Sequence, residues 1–201
     1  MKALEYLSIP LGEKVYVTEI YHDHSSDLIA VGLKSSVIIY QVFIDVDETS
    51  QPRFQLVQAV SITLQFVNII NETLQINHDS IVHCLSWSPQ TTLALAPRCV
   101  KFATGSSDYC VRLFTTDLGQ NESLQILKGH KDYVNTIAFH PQPDAGQLIS
   151  GSDDHTVMLW QFDGKTVSKN IHTFTFEHPV MTVVWHPDEV SKAMVHAFSN
   201  Y

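Results

Sequence analysis

The chain has 201 residues, 44% of them hydrophobic and 16% charged, which supplies a core and argues against a disordered tail. Its net charge of -9, spread without an acidic or basic run, disfavours direct nucleic-acid binding, because phosphate recognition needs a concentrated basic face. Cys84, Cys99 and Cys110 are odd in number and lack C-x-x-C spacing, which argues against a disulfide framework and a thiolate zinc site and reads as small buried side chains. The apolar-leaning stretch Ile62 to Ile70 is interrupted by Thr63, Gln65 and Asn68, well short of the roughly 20 residues that span a bilayer. Met1 to Leu7 carries Lys2 and Glu5 and does not read as a secretory signal, so a soluble protein of the cytosol or nucleus is expected. The sequons at Asn71 and Asn121 then carry no weight.

From the N-terminus, the first predicted unit covers residues 15–60, with strands Val15–Tyr21, Leu28–Gly32, Val37–Phe43 and Phe54–Val60. Each alternates apolar and polar residues between turn residues, the mark of short antiparallel strands. Residues 61–77 read as a partly buried insertion. The unit 78–128 follows, with a first strand from Val82 and then Val100–Gly105, Cys110–Phe114 and Ser123–Leu127. The unit 129–177 has Val134–Phe139, Leu148–Gly151, Thr156–Gln161 and about Ile171–Phe176, with Asp153-Asp154-His155 as the tight turn between its middle strands. The last unit, 178–201, offers Val180 onward and Ala193–Phe198.

Three strings carry the repeat: Val82-His83-Cys84-Leu85-Ser86-Trp87-Ser88-Pro89, Val134-Asn135-Thr136-Ile137-Ala138-Phe139-His140-Pro141 and Val180-Met181-Thr182-Val183-Val184-Trp185-His186-Pro187. Their prolines stand 52 and 46 residues apart, near the roughly 40 to 45 residues of a four-stranded propeller blade. The expected fold is all-β, a propeller of about three complete blades plus the start of a fourth.

In the unit 129–177, Gly129-His130 precedes an unbroken Ser-Gly-Ser-Asp-Asp-His-Thr-Val-Met-Leu-Trp from 150 to 160. These residues resemble the WD-repeat family. The resemblance implies a structural tetrad of His130, Ser150, Asp154 and Trp160: carboxylate accepts from imidazole, imidazole meets hydroxyl, and hydroxyl accepts from indole N–H. The preceding unit offers a partial tetrad, His78, Thr104 and Asp108 with Phe114 in the tryptophan position. Phe114 donates no hydrogen bond, but its ring can fill space between blades. The last unit offers only His178.

Ser, His and Asp together also invite a hydrolase reading, with His130 activating Ser150 under Asp154. That chemistry needs an exposed serine beside an oxyanion hole. Ser150 instead falls within an alternating strand, and the sequence reads as non-enzymatic. Eleven histidines, among them His22, His24, His172 and His178, raise zinc, but carboxylate and thiolate partners are not spaced to complete a tetrahedral shell. Gly105 and Gly151 read as strand ends at turns, and neither GxGxxG nor GxxxxGKS is present. No cofactor and no metal are expected.

Between Ile81 and Pro187 the likeness narrows. His83 to Pro89, Val111 to Leu118, Leu127 to His130, Ser152 to Thr156 and Val184 to Pro187 resemble the family of thirty-seven-kilodalton WD-repeat nucleoporins. That resemblance implies a scaffold propeller of the Y-shaped outer-ring complex of the nuclear pore, at the nuclear envelope. Its partners there would be the hundred-and-sixty-kilodalton nucleoporin and the rest of the complex, which in animals also associates with kinetochores in mitosis. Family members carry about seven blades, so the sequence is expected to be a truncated propeller. Gln161 follows Trp160 and Thr115 follows Phe114, whereas substrate receptors of ubiquitin ligases typically continue Asp-x-Arg. That adaptor reading and a chromatin-peptide reader, for which an aromatic cage is not visible in the sequence, stand as the alternatives.

Overall fold

Alternating apolar and polar residues give strands whose one face must be covered, and this chain covers it by packing one small sheet on the next. The computed structural model describes residues 12, 14–22, 27–45, 53–63, 80–93, 98–117, 122–162, 169–186 and 193–197. Within them the chain forms β1 Val17–His22, β2 Asp27–Gly32, β3 Ser36–Asp45, β4 Arg53–Thr63, β5 Val82–Trp87, β6 Val100–Ser106, β7 Cys110–Thr116 and β8 Glu122–Lys128. It continues with β9 Val134–Phe139, β10 Gln147–Ser152, β11 Thr156–Gln161, β12 Lys169–Thr175, β13 Val180–Trp185 and β14 Ala193–Ala197. A single 3-10 turn, Pro143–Ala145, is the only helical piece among the described residues, and no helix there is long and apolar enough to cross a membrane.

The strands pair antiparallel with their chain neighbours into three four-stranded sheets, β1-β2-β3-β4, β5-β6-β7-β8 and β9-β10-β11-β12, and a two-stranded sheet β13-β14. First strands of successive sheets pack together, β1 on β5, β5 on β9 and β9 on β13. The sheets are thus successive propeller blades about a common axis, in the expected all-β fold. Most strands begin and end within two residues of the predicted bounds. The exception is β4, which continues to Thr63 and so takes the first three residues of the segment read as an insertion; residues 64–77 lie outside the described set, as does His78.

One step repeats at each blade junction. Val82, Val134 and Val180, each opening an inner strand, are fully buried, and they sit over Gly32, Gly105 and Gly151 of the preceding blade. A Cβ placed on Gly105 would lie 2.5 Å from Val134 Cγ1 and 2.6 Å from Cys84 Sγ, and one on Gly151 would lie 2.5 Å from Val180 Cγ1. These glycines do not end strands at turns, as the sequence suggested. They lie inside β6 and β10, where the missing side chain makes room for the neighbouring blade.

Around each step a core cluster forms. Leu28, Ala30, Val37 and Ile39 of the first blade pack with Val82, Leu85, Val100, Phe102 and Phe114 of the second. Cys84, Ala103, Val111, Leu113 and Leu127 meet Val134, Ile137, Leu148, Met158 and Trp160 of the third. Ile149 and Val157 meet Val180 and Val183. Each fully buried valine or leucine stabilises by about 1.5 to 3 kcal/mol relative to exposure, so the junctions hold the blades in order. Polar bridges fix the register. Cys84 Sγ–H donates to the Val134 carbonyl at 3.6 Å, Tyr21 Oη–H to the Thr91 carbonyl at 2.7 Å, and Trp185 Nε1–H to the Ala138 carbonyl at 3.1 Å.

The junction makes a clear prediction. Gly105→Ala forces a methyl into Val134 and should destabilise by about 1 to 3 kcal/mol. In a double-mutant cycle with Val134→Ala, which removes the obstructing methyls, the pair should cost at least ~0.5 kcal/mol less than the sum of the singles. Strict additivity in urea unfolding would mean that the two residues do not share this space.

Candidate functional site

The polar centre of the third blade is assembled by a loop and two strands. His130 lies in the connection between β8 and β9, Ser150 in β10, Asp154 in the turn after it, and Trp160 in β11. Pairing Leu148 with Trp160 and Ser150 with Met158 sets Ser150 and Trp160 diagonally on one face of the sheet. The Asp154 turn is tight because His155 takes a left-handed conformation, φ 65°.

The structure brings the four residues together. His130 Nδ1 lies 2.9 Å from Asp154 Oδ2, His130 Nε2 lies 2.7 Å from Ser150 Oγ, and Trp160 Nε1–H donates to Ser150 Oγ at 2.8 Å. One proton arrangement satisfies all three contacts. Nδ1–H donates to the carboxylate, the serine hydroxyl donates to Nε2, and the indole donates to the serine oxygen. Asp154 is held further by the Thr156 hydroxyl at 2.6 Å, the Thr156 backbone N–H at 2.9 Å and the Lys131 backbone N–H at 2.8 Å. Ser150 is 0% exposed and Trp160 2%.

This geometry does not suit a nucleophile. Ser150 Oγ spends its hydrogen on His130 and accepts from Trp160, and with no exposed surface it leaves no space for a substrate carbonyl. The network ties a loop to a sheet. Burial lowers the His130 pKa below 6.5, against the opposing pull of Asp154. For Asp154, burial works to raise the pKa, but hydrogen bonds from Thr156, Lys131 and His130 outweigh it and the net direction is down.

The second blade adds an arginine to the expected residues, of which His78 lies outside the described set. Asp108 is engaged by Arg112, with Arg112 Nη1–H donating to Asp108 Oδ1 at 3.0 Å and Arg112 Nη2–H to Asp108 Oδ2. Ser106 Oγ joins them, donating to Asp108 Oδ1 at 2.6 Å and accepting from Arg112 Nη1–H at 2.7 Å. Arg112 is 1% exposed and sits opposite Thr104 in the β6–β7 pairing, the place Met158 takes opposite Ser150. Thr104 Oγ1 is buried and has no hydrogen-bond partner among the described residues. Phe114 stacks on Phe102, centroids 4.9 Å apart, and belongs to the cluster shared with the first blade, the inter-blade packing expected of it.

Sequence reading missed Arg112, although an acid and an arginine four residues apart across a tight turn were a usable signal. His178 is exposed and joins no such network among the described residues. Among the described residues no three His, Cys, Asp or Glu gather as metal ligands; His22 lies 3.1 Å from Asp27, and His24 is outside the described set. Cys84 is a free thiol whose pKa burial pushes up to about 12, an inert core group.

Two predictions follow from the tetrad. Ser150→Ala strands the Trp160 N–H and a His130 nitrogen, so stability should fall by about 1 to 3 kcal/mol, seen as a melting temperature lower by roughly 2 to 12 °C. An unchanged melting temperature would show that these contacts do not support the blade. The second concerns acid. With the folded pKa of His130 below 6.5, the unfolded chain binds a proton that the folded chain refuses, so stability falls as pH drops below about 6.5. Asp154 adds a further loss only below its ordinary 3.8. In melts from pH 7.5 to 5.5, His130→Asn should start less stable and lose less than the parent; parallel curves would contradict the assignment.

Comparison with known proteins agrees with this architecture. The family described as WD domain, G-beta repeat matches residues 71–115 and 121–161. Nucleoporin Nup37 of Mus musculus is 39% identical over 125 residues, covering 62% of this chain and 37% of its own length. Nucleoporin Nup37 of Homo sapiens is 37% identical over the same extent, and that of Drosophila melanogaster 30% over 189 residues, 94% of this chain and 53% of its own. The chain therefore spans about half or less of the length of these curated relatives. A solved chain from ctPRC2 in complex with H3K27me3 and H3K27M superposes with a TM-score of 0.61 at 15% identity over 90% of this chain and 34% of that one, which shows the fold alone.

Proposed function

We propose that this chain, a WD-repeat protein homologous to the Nup37 nucleoporins, is a non-catalytic scaffold of the nuclear pore outer ring that acts by docking other proteins. The observation that carries this reading is the identity of 37 to 39% to the mammalian nucleoporins over 125 residues. The site chemistry supports it from the other side. The His130, Ser150 and Asp154 constellation that could pass for a catalytic triad has its serine sealed between an imidazole and an indole, so its polar groups serve the blade rather than a substrate.

In this reading the Y-shaped subcomplex supplies the partners, the hundred-and-sixty-kilodalton nucleoporin among them, and the protein works at the nuclear envelope in pore assembly and transport. Propeller function resides on rims and loops held by a rigid blade scaffold, and the tetrad and the valine steps provide that rigidity.

The test is localisation with affinity capture. The full chain carrying a fluorescent tag should mark the nuclear rim and should capture outer-ring nucleoporins under native conditions. Diffuse fluorescence with capture of ubiquitin-ligase subunits, or chromatin staining with capture of histone-modifying proteins, would overturn the nucleoporin assignment in favour of an adaptor.

A further inference from the structure

Three aromatic rings gather where the second blade meets the third. Tyr133, in the loop before β9, has its ring centroid 5.5 Å from that of His83 in β5 and 5.7 Å from that of Tyr109 in the β6–β7 turn. The tyrosines are 43% and 40% exposed, so part of each side chain is open to solvent. Met181, 44% exposed, extends the patch toward the fourth sheet, its sulfur 3.6 Å from Asn135 Nδ2.

Tyr109 is placed at a cost. It has φ 67°, a left-handed conformation uncommon for any residue with a side chain and worth about 1 to 2 kcal/mol of strain. Asn or Gly would fit the turn more cheaply. What the tyrosine provides is a ring against Tyr133. His155 holds the matching turn of the third blade at φ 65°, so the left-handed place belongs to the repeated turn and the tyrosine adds the ring.

Charge defines what would fit. Asp132 precedes Tyr133, and Asp153, which accepts from Asn135 Nδ2 at 2.6 Å, lies close enough to act electrostatically on His83. Lys131 is the cation of this loop, and its backbone N–H is already bound to Asp154. The protein as a whole carries -9. Tyr133 lies against both His83 and Tyr109, so an occupant meets the exposed parts of the tyrosine rings rather than a cage between them. A guanidinium does this, stacking on tyrosine while its N–H fork reaches a carboxylate, whereas an ammonium presents only a point charge.

We propose that Tyr109, Tyr133 and His83, with Asp132 and Asp153 beside them, form a docking patch for an arginine-bearing segment of a partner protein. This rests on the docking reading above and specifies its chemistry.

The probe is the peptide acetyl-Gly-Arg-Gly-Arg-Gly-amide, titrated at 150 mM salt into the full chain and followed by the tyrosine ring resonances. Its counterpart with citrulline for arginine is the neutral control. Expected are saturable shifts at Tyr109 and Tyr133 with the arginine peptide, none with citrulline, and affinity at least about tenfold weaker in Tyr133→Ala and in Tyr109→Asn. Both variants should fold, since Tyr133 is exposed and asparagine tolerates the left-handed turn. Absence of binding by the parent overturns the proposal. So does equal binding by the variants, which is the result expected of unspecific attraction to an acidic protein. Neither outcome touches nuclear-rim localisation of the parent chain, so failure of the patch and failure of the scaffold reading are told apart.

Discussion

Each blade leans on the next through one contact, the opening valine of an inner strand set over a glycine of the blade before it. Val82 on Gly32, Val134 on Gly105 and Val180 on Gly151 are spatially the same step. Because the glycine removes a Cβ, inner strands approach more closely than side chains would otherwise allow. Because the valine is rigid at χ1, it fixes the next strand's height as well as its distance. A leucine would fill the space less uniquely, and an alanine would leave a void whose cost grows with its volume. The blade order, the shared core clusters and the polar bridges between neighbours all follow from this step.

The polar networks then determine how well each blade is locked to the loop that enters it. In the third blade, His130 spans from the incoming loop to Asp154 and Ser150, so one imidazole ties the loop, the turn and two strands together. In the second, the Asp108 carboxylate is neutralised from within its own hairpin by Arg112. Thr104 Oγ1, opposite Arg112, has no hydrogen-bond partner among the described residues, and His78, expected beside it, lies outside them. The two blades share a backbone and differ in how their buried charge is met.

This difference marks where the sequence stops being readable. Strand positions were legible because alternation is enforced by burial of one face, and the turn at Asp153-Asp154-His155 was legible because its side chains bond locally. The tetrad of the third blade was legible because each residue type has one role there. The second blade held a partner that spacing does not announce: Asp108 takes Arg112 from its own hairpin, while His78 lies outside the described residues. Gly105 and Gly151 misled for a related reason. A glycine near a strand end looks like a turn, and its true cause, a valine arriving from the following blade, lies 29 residues away in sequence.

The networks also separate what the protein uses internally from what it offers outward. His130, Ser150, Asp154 and Trp160 are paired with one another, and Arg112 with Asp108, so little of their hydrogen-bonding capacity is left for a partner. Tyr109 and Tyr133 are different, each about two-fifths exposed. A rigid amphipathic ring loses little entropy on binding and suits an interface anchor. Acid titration gives these two populations distinct signatures. Protonating His130 at Nε2 would leave the Ser150 hydrogen without its acceptor and loosen the blade. Protonating His83 would instead place a cation in the patch itself, so a loss of docking in mild acid without a matching loss of stability would report on the patch rather than on the scaffold beneath it.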